Sequence, residues 1–172
     1  EGIEVRVHPM LIPERHPLAS VNDSFNAVFV HGDAVDDAMF YGRGAGELPT
    51  ASAVVGDIFD IARNLQYECC GRISCTCYKQ LPIKAMDDIC SKYFLRMLVE
   101  NEPGVLAAVT AVFGDRKVSI EQIIQKKKIG ELAEIVVITE KVKERHVKDS
   151  LKAFEEMTAV KKVSSVIRVY GE

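Results

Sequence analysis

The sequence predicts an α+β protein of two parts joined by an irregular linker. Three observations carry this prediction: apolar alternation near the start, a glycine-rich turn followed by helical spacing, and a regular order of strands and helices in the second half. We expect the first part to span residues 1–64, the linker 65–91, and the second part 92–172.

The first part is predicted to contain strands, a hairpin and one helix. Apolar residues alternate with charged ones from Ile3 to Val7, which favours a strand. Because a native N-terminus rarely begins inside a strand, we expect the chain to be a fragment of a longer protein. Strand patterns over residues 25–30 and 38–41 flank turn residues and predict a hairpin. Apolar residues at helical spacing then predict a helix over 50–64 that is mostly buried.

The second part shows the order β-α-β-β-α-β. Its helices are predicted to begin at Pro103 and Val142, and Pro103 suits a first helical turn because its missing amide hydrogen would be unpaired there. A hairpin loop is expected over residues 126–130. Two helices on one face of a four-stranded antiparallel sheet form the ferredoxin-like arrangement. The four predicted strands are residues 93–99, 118–125, 132–139 and 163–170.

Composition and charge exclude several classes of function. Hydrophobic residues make up 48% and charged residues 27%, with a net charge of -3. This balance is typical of a soluble globular protein, for which we expect a cytoplasmic location. It argues against nucleic acid or membrane as a partner, since both attract basic surfaces. RNA-recognition domains share the β-α-β-β-α-β order, but they need stacking aromatic side chains, and residues 132–139 contain none.

Four of the five cysteines lie between Cys69 and Cys77. We expect reduced thiols in a linker, because the chain shows no secretion signal. A structural zinc site needs two separated cysteine pairs, and the adjacent Cys69 and Cys70 fit such a site poorly. A metal or redox role stays as an alternative. The scattered histidines show no metal or triad spacing: His8, His16, His31 and His146.

The glycine spacing before the helix would by itself favour only a tight turn. It belongs, however, to a series of motifs along the first part: Val7-His8-Pro9, His16-Pro17-Leu18-Ala19, Phe25-Asn26-Ala27-Val28, Tyr41-Gly42-Arg43-Gly44-Ala45-Gly46 and Pro49-Thr50-Ala51-Ser52-Ala53. In this order the motifs resemble homoserine dehydrogenase. The resemblance implies a truncated piece of an α/β catalytic domain, from an enzyme that interconverts aspartate semialdehyde and homoserine with NAD(P)H. By this resemblance, the residues lining the nicotinamide side of the cofactor are Gly42, Gly44, Ala45, Gly46 and Thr50.

The resemblance also implies what this sequence does not contain. The family's nucleotide-binding fold, its catalytic lysines and its acidic substrate-binding residues all lie upstream of Glu1. Hydride transfer needs both reacting carbons held together and an acid–base group within reach. We therefore assign no catalytic residue and no metal ligand, and we expect the chain alone to be inactive and to hold no NAD(P).

Residues 98–107 resemble the first loop and helix of ACT domains, usually written D-x-P-G-V-L, with Asn101 at the Asp position. Free amides at a helix start can bind a carboxylate, and Gly104 allows close approach. A carboxamide can accept a hydrogen bond from an ammonium group. Residues 118–123 resemble the second strand of such sites. By this resemblance the effector-binding residues are Asn101, Glu102, Gly104, Val105, Leu106, Gln122 and Ile123.

Together the two resemblances imply feedback regulation. An amino acid effector would bind between paired ACT domains of a homo-oligomer, and threonine, formed downstream of homoserine, is the expected effector. The alternative is that the ACT domain binds no ligand and serves only for oligomerisation.

Overall fold

The computed structural model describes residues 2–69 and 78–171. The chain divides into two compact units, one of Glu1–Ile12 with Leu81–Glu172 and the other of Pro13–Gln80. This division differs from the predicted boundaries, which placed the first twelve residues with the 1–64 part. The reason is long-range strand pairing, because the start of the chain pairs with residues near its end.

Eight strands and three helices follow one another along the described residues. Short 3-10 helices lie at Pro17–Ser20 and Met86–Asp88. None of the described helices is long and apolar enough to cross a bilayer. In chain order the strands and helices are β1 (Met10–Leu11), β2 (Phe25–Gly32), β3 (Asp36–Arg43), α1 (Glu47–Gln66), β4 (Cys90–Glu100), α2 (Val105–Asp115), β5 (Ile120–Ile129), β6 (Leu132–Thr139), β7 (Val142–Lys143), α3 (Glu144–Glu156) and β8 (Val160–Val169).

The larger unit is built on a sheet in the order β1-β8-β4-β6-β5. Its four long strands are antiparallel, whereas β1 is parallel to β8. The order β8-β4-β6-β5, with α2 and α3 as the connecting helices, confirms the predicted ferredoxin-like βαββαβ fold. The added outer strand β1 and the two-residue β7, which pairs with β4, were not predicted.

The core of this unit lies between the sheet and its two helices. Alternate residues of β4 are buried, so one face of the strand packs inward with the period of two that a strand requires. Phe113 of α2 and Phe154 of α3 are fully buried and meet edge to face, with ring centroids 5.0 Å apart. Such aromatic pairs add about 0.5–1.5 kcal/mol beyond the area they bury, so this contact locks the helices together.

Three predicted features of these residues differ in the structure. Only Ile3 of the predicted N-terminal strand makes a bridge, to Ile83, while Val7 is fully exposed. An alternating apolar and charged sequence forms a strand only where the backbone of a neighbouring strand lies alongside it and pairs with it. Pro103 precedes the N-cap Gly104 rather than lying in the first turn of α2. The expected loop over 126–130 is mostly strand, because β5 continues to Ile129 and the chain reverses beside Gly130, whose φ is +65°.

The smaller unit contains the predicted hairpin of β2 and β3, paired from Phe25↔Arg43 to Gly32↔Asp36. The Phe25 ring stacks on Tyr41 at 4.8 Å, and the Arg43 guanidinium lies 4.8 Å from the Phe25 centroid. The helix α1 has no buried residue. The prediction of a mostly buried helix is therefore wrong for this chain, since the described residues of this unit provide no surface that covers it.

Candidate functional site

The loop between β4 and α2 is held in a conformation that favours glycine. Gly104 is the N-cap of α2 with φ +90° and ψ −18°, in the left-handed region. A Cβ at this position would meet nothing within 4 Å, so the backbone conformation, not crowding, demands glycine. Among the described residues no side chain caps α2. The Val105 amide donates to the Glu102 carbonyl at 3.3 Å, and the helix dipole at this end of α2 favours an anionic group.

The structure brings Asn101 together with a residue that the sequence analysis did not select. Nε2 of Gln125 donates to Oδ1 of Asn101 at 3.1 Å. Gln125 lies on β5 two positions after Ile123, which packs against the core, so both face the helices. Gln122 is paired with Ile138 and points to the opposite face of the sheet. The selected Gln122 is therefore separated from Asn101 by the sheet.

The remaining selected residues surround the same loop. Glu102 is exposed, and Leu106 is 42% exposed on the first turn of α2. Val105 packs against the core, as does Ile123. The loop is anchored by the Asn101 amide, which donates to the Glu131 carbonyl at 3.1 Å. The result is a polar corner at the start of α2 with one exposed apolar side chain, that of Leu106.

The glycine loop of the smaller unit is a tight turn between β3 and α1, as its spacing favours. Gly42 is paired with Asn26, and a Cβ on Gly44 would lie 2.1 Å from Nδ2 of Asn26. Gly46 is the N-cap of α1 with φ +123°, and its carbonyl accepts from the Thr50 amide at 3.1 Å. Ala45 lies in the turn between them.

An open concavity of about 270 Å³ lies beside this turn. A Cβ at Gly42 would meet nothing within 4 Å, and no side chain of the described residues caps α1. The open space at Gly42 allows close approach to the backbone, and the dipole at the start of α1 favours an anionic group. The concavity is lined by Asn26, Ala27, Val28, Phe40, Tyr41, Gly42, Arg43 and Gly44.

Comparison with known proteins finds a matching family profile for each of the two parts of the chain. The homoserine dehydrogenase family profile matches residues 1–59, and the ACT domain profile matches residues 93–158. Residues 1–59 belong to the homoserine dehydrogenase family, and residues 93–158 form an ACT domain.

Homoserine dehydrogenases from several bacteria align along nearly the whole chain. The protein from Neisseria gonorrhoeae is 43% identical over 175 residues, which cover 98% of this chain and 40% of that protein. The Bacillus subtilis protein is 40% identical over 171 residues, with 98% and 40% coverage. The solved structure of a homoserine dehydrogenase from Thiobacillus denitrificans superposes with a TM-score of 0.86 at 37% identity, covering 98% of this chain and 39% of that one. The chain thus spans about 40% of the length of these relatives.

The ACT domain contains a buried ionic cluster away from the effector loop. Tyr93 Oη donates to Oε2 of Glu144 at 2.5 Å, and Nη2 of Arg168 donates to the same oxygen at 2.5 Å. The side chains of Arg168 and Glu144 are 17% and 12% exposed, and the guanidinium lies 5.6 Å from the Tyr93 centroid. This cluster joins β4, α3 and β8.

The contacts within this cluster shift the pKa values of Glu144 and Tyr93. Burial alone would raise the pKa of Glu144, but hydrogen bonds from Tyr93 and Arg168 outweigh it and hold that pKa below its ordinary value of 4.5. Burial, and then the hydrogen bond to Glu144, raise the pKa of the Tyr93 phenol. The carboxylate is therefore charged at neutral pH, and its role is to hold structure together.

The predicted cysteine cluster falls mostly on residues 70–77, which lie outside the described residues. Cys69 and Cys90 are exposed and free of disulfides. In residues 2–69 and 78–171, no group of three or more His, Cys, Asp or Glu side chains is placed to hold a metal ion. Of the four scattered histidines, His31 pairs with Asp37 at 2.8 Å near the end of the hairpin.

Proposed function

We propose that this chain belongs to a homoserine dehydrogenase whose ACT domain binds threonine and thereby inhibits the enzyme. The parent protein would interconvert aspartate semialdehyde and homoserine with NAD(P), in the cytoplasm, and this chain alone would not catalyse the reaction. The observation that carries the regulatory part is the preformed corner at the start of α2, with Gly104 in the left-handed region and Asn101 held by Gln125.

The hydrogen bonding of this corner matches the polar groups of a free amino acid. The uncapped start of α2 suits the carboxylate. The side-chain oxygen Oδ1 of Asn101 already accepts from Gln125. The side-chain nitrogen Nδ2 of Asn101 therefore remains to donate to a carboxylate or hydroxyl oxygen. Oε1 of Gln125 then serves as the acceptor for the ammonium group. Leu106 supplies an apolar contact for a methyl group such as that of threonine.

We further propose that two copies of this chain pair through their ACT domains. Strand β5 is the outer strand on its side of the sheet in the described residues, whereas β8 is partly covered by β1. An uncovered strand has free backbone donors and acceptors, which a second copy of β5 would satisfy. This pairing would place Gln122 and Ile123 of one copy near the effector corner of the other.

The residues of the glycine turn would hold the nicotinamide side of NAD(P) in the parent protein. The cofactor, when bound, supplies the hydride acceptor. Gly42 and Gly44 would let the backbone approach its ring, and Ala45 would extend this wall. Gly46 and Thr50 would set the start of α1, where amide dipoles favour anionic groups.

A second candidate function is a ligand-free pairing module. One observation favours it: the Asn101–Gln125 hydrogen bond already satisfies part of the corner without any ligand. In this case the corner would serve only to stabilise the loop, and the ACT domain would act by oligomerisation alone.

Isothermal titration of the 172-residue chain with threonine tests the proposal, with isoleucine, methionine and lysine as comparison ligands. We expect threonine-selective binding that weakens about 10- to 150-fold in Gln125→Ala, since a hydrogen bond to a charged group is worth roughly 1.5–3 kcal/mol. Gln66→Ala, an exposed glutamine at the end of α1 in the smaller unit, is the matched control and should bind within a factor of two or so. Absence of heat with all four amino acids would favour the ligand-free module.

A further inference from the structure

The ACT sheet is completed by a strand from outside its family match. Residues 1–59 match homoserine dehydrogenase, yet β1 lies within this segment and pairs in parallel with β8, Met10 opposite Arg168 and Leu11 opposite Val169. The Tyr170 amide donates to the Leu11 carbonyl at 2.8 Å. The start of the homoserine dehydrogenase region is therefore part of the ACT unit.

This segment, residues 2–12, contacts the ACT unit near its start, in its middle and at β1, and we name it the strap. At its start the Ile3 amide donates to the Pro82 carbonyl at 2.9 Å, and the Lys84 amide donates to the Ile3 carbonyl at 2.9 Å. In its middle, Nη1 of Arg6 donates to Oγ of Ser91 at 2.8 Å. The chain then leaves the ACT unit after Ile12. The strap continues through the backbone into Pro13 and the residues that follow.

The strap is linked to the effector corner through packed elements. Arg168, the register partner of Met10, binds Glu144, the first residue of α3, with its side chain. Helix α3 is fixed to α2 by the buried aromatic pair, and Nε of Arg116 donates to the Asp149 carbonyl at 2.9 Å. Helix α2 begins at the corner where the effector is proposed to bind. One continuous set of contacts therefore runs from Gly104 to the strap.

We propose that the strap is the output element of the ACT domain: an effector at the start of α2 changes the pairing of β1 with β8 through α3 and the Glu144–Arg168 contact. This rests on the proposed function. The strap is suited to the task because β1 has only two residues, so its pairing is weaker than that of the long strands and responds first when α3 moves. The signal then reaches the homoserine dehydrogenase residues through the backbone at Ile12 and Pro13.

Amide hydrogen exchange on the 172-residue chain, with and without saturating threonine, tests this. The Tyr170 amide reports β1–β8 pairing, and the Lys84 amide reports the start of the strap. We expect threonine to change exchange at both roughly 5- to 150-fold, the range of ordinary coupling between sites. In Arg168→Gln the change at Tyr170 should be lost while threonine binding persists.

Arg96→Gln is the matched control, because Arg96 belongs to the same sheet and also forms an ion pair, with Glu134 at 3.3 Å, but its strand does not pair with β1. It should retain both binding and the change at Tyr170. If Arg168→Gln does not fold, Glu144→Gln breaks the same contact from α3 and should give the same loss.

The outcomes separate the two proposals. Threonine binding with exchange changes confined to residues 101–125 would overturn the role of the strap and leave the proposed function standing. An unaltered change at Tyr170 in Arg168→Gln and Glu144→Gln would also overturn it. Absence of threonine binding to the unmodified chain would overturn the proposed function, and the role of the strap with it.

Discussion

The two units of this chain bury their apolar residues to very different extents. In the ACT unit, Leu95, Phe113 and Phe154 are fully buried between sheet and helices. In the other unit, α1 has no buried residue, and Ile58 and Ile61 are each 58% exposed. The same apolar periodicity therefore accompanies a packed core in one unit and an uncovered surface in the other. The pattern specifies a helix, whereas burial depends on what the rest of the protein provides.

The largest expected effect tests this comparison in the core of the ACT unit. Phe154→Ala should destabilise the ACT unit by about 3–5 kcal/mol, because it removes a fully buried aromatic side chain and leaves a cavity. The matched variant Ile58→Ala on exposed α1 should change stability by no more than about 0.5 kcal/mol. Urea unfolding followed by circular dichroism checks both. Equal losses in the two variants would show that α1 is covered in solution, which would contradict the comparison.

A second test concerns the buried ionic cluster of the ACT unit. Glu144→Gln should cost about 3 kcal/mol at pH 7, since it leaves the largely buried Arg168 without its counter-charge. The folded pKa of Glu144 lies below 4.5, so its contribution is present above this pH and is lost as pH falls through the lower folded value. Unfolding at several pH values should show the variant losing less stability than the unmodified chain as the pH falls below 4.5. Parallel pH profiles would contradict this assignment.

A third test compares the effect of alanine on stability at two glycines of α2, one at its N-cap and one inside it. Gly104→Ala should destabilise the ACT unit by about 1–2 kcal/mol, because φ is +90° at the N-cap. Gly114→Ala, inside the same helix and with open space for a Cβ, should stabilise by up to about 1 kcal/mol. Thermal unfolding distinguishes the two signs. A stabilising Gly104→Ala would show that the loop is free to leave the left-handed conformation.

The smallest expected effect concerns the effector corner. Gln125→Ala should change unfolding free energy by only about 0.5–1.5 kcal/mol, as it removes a single exposed hydrogen bond to Asn101. A double-mutant cycle with Asn101→Ala measures their coupling, and additive losses would show that the two amides act independently.

Much of the ACT fold was predictable from local patterns. Residues 132–139 were predicted as a strand with the bounds of β6, because an apolar, β-branched run bounded by turn residues leaves few alternatives. The hairpin of β2 and β3 followed from turn chemistry between two strand-like runs. By contrast, β1 has two residues and a partner more than 150 positions away, so no local pattern marks it.

The effector corner shows a different limit. Counting by two from Ile120, which packs on the core, puts Gln122 on the helix side. The register of β5 shifts between Ile120 and Gln122, so the next core-facing residue is Ile123, and Gln125 follows on that face. This irregularity of one residue places Gln125, and not Gln122, on the same face of the sheet as Ile123. The apolar residue Ile123 could have indicated which face of β5 is buried. The shift itself is visible only in the pairing of β5 with β6.

The position of β8 at residues 160–169 has a practical consequence for anyone who trims this protein. A polypeptide cut at the limits of the ACT match, 93–158, would lose both β8 and β1. Strand β4, central and lined with apolar side chains, would become an open border with unpaired backbone. Such a border is a template for pairing between molecules, so we expect the trimmed polypeptide to aggregate more readily than the longer chain.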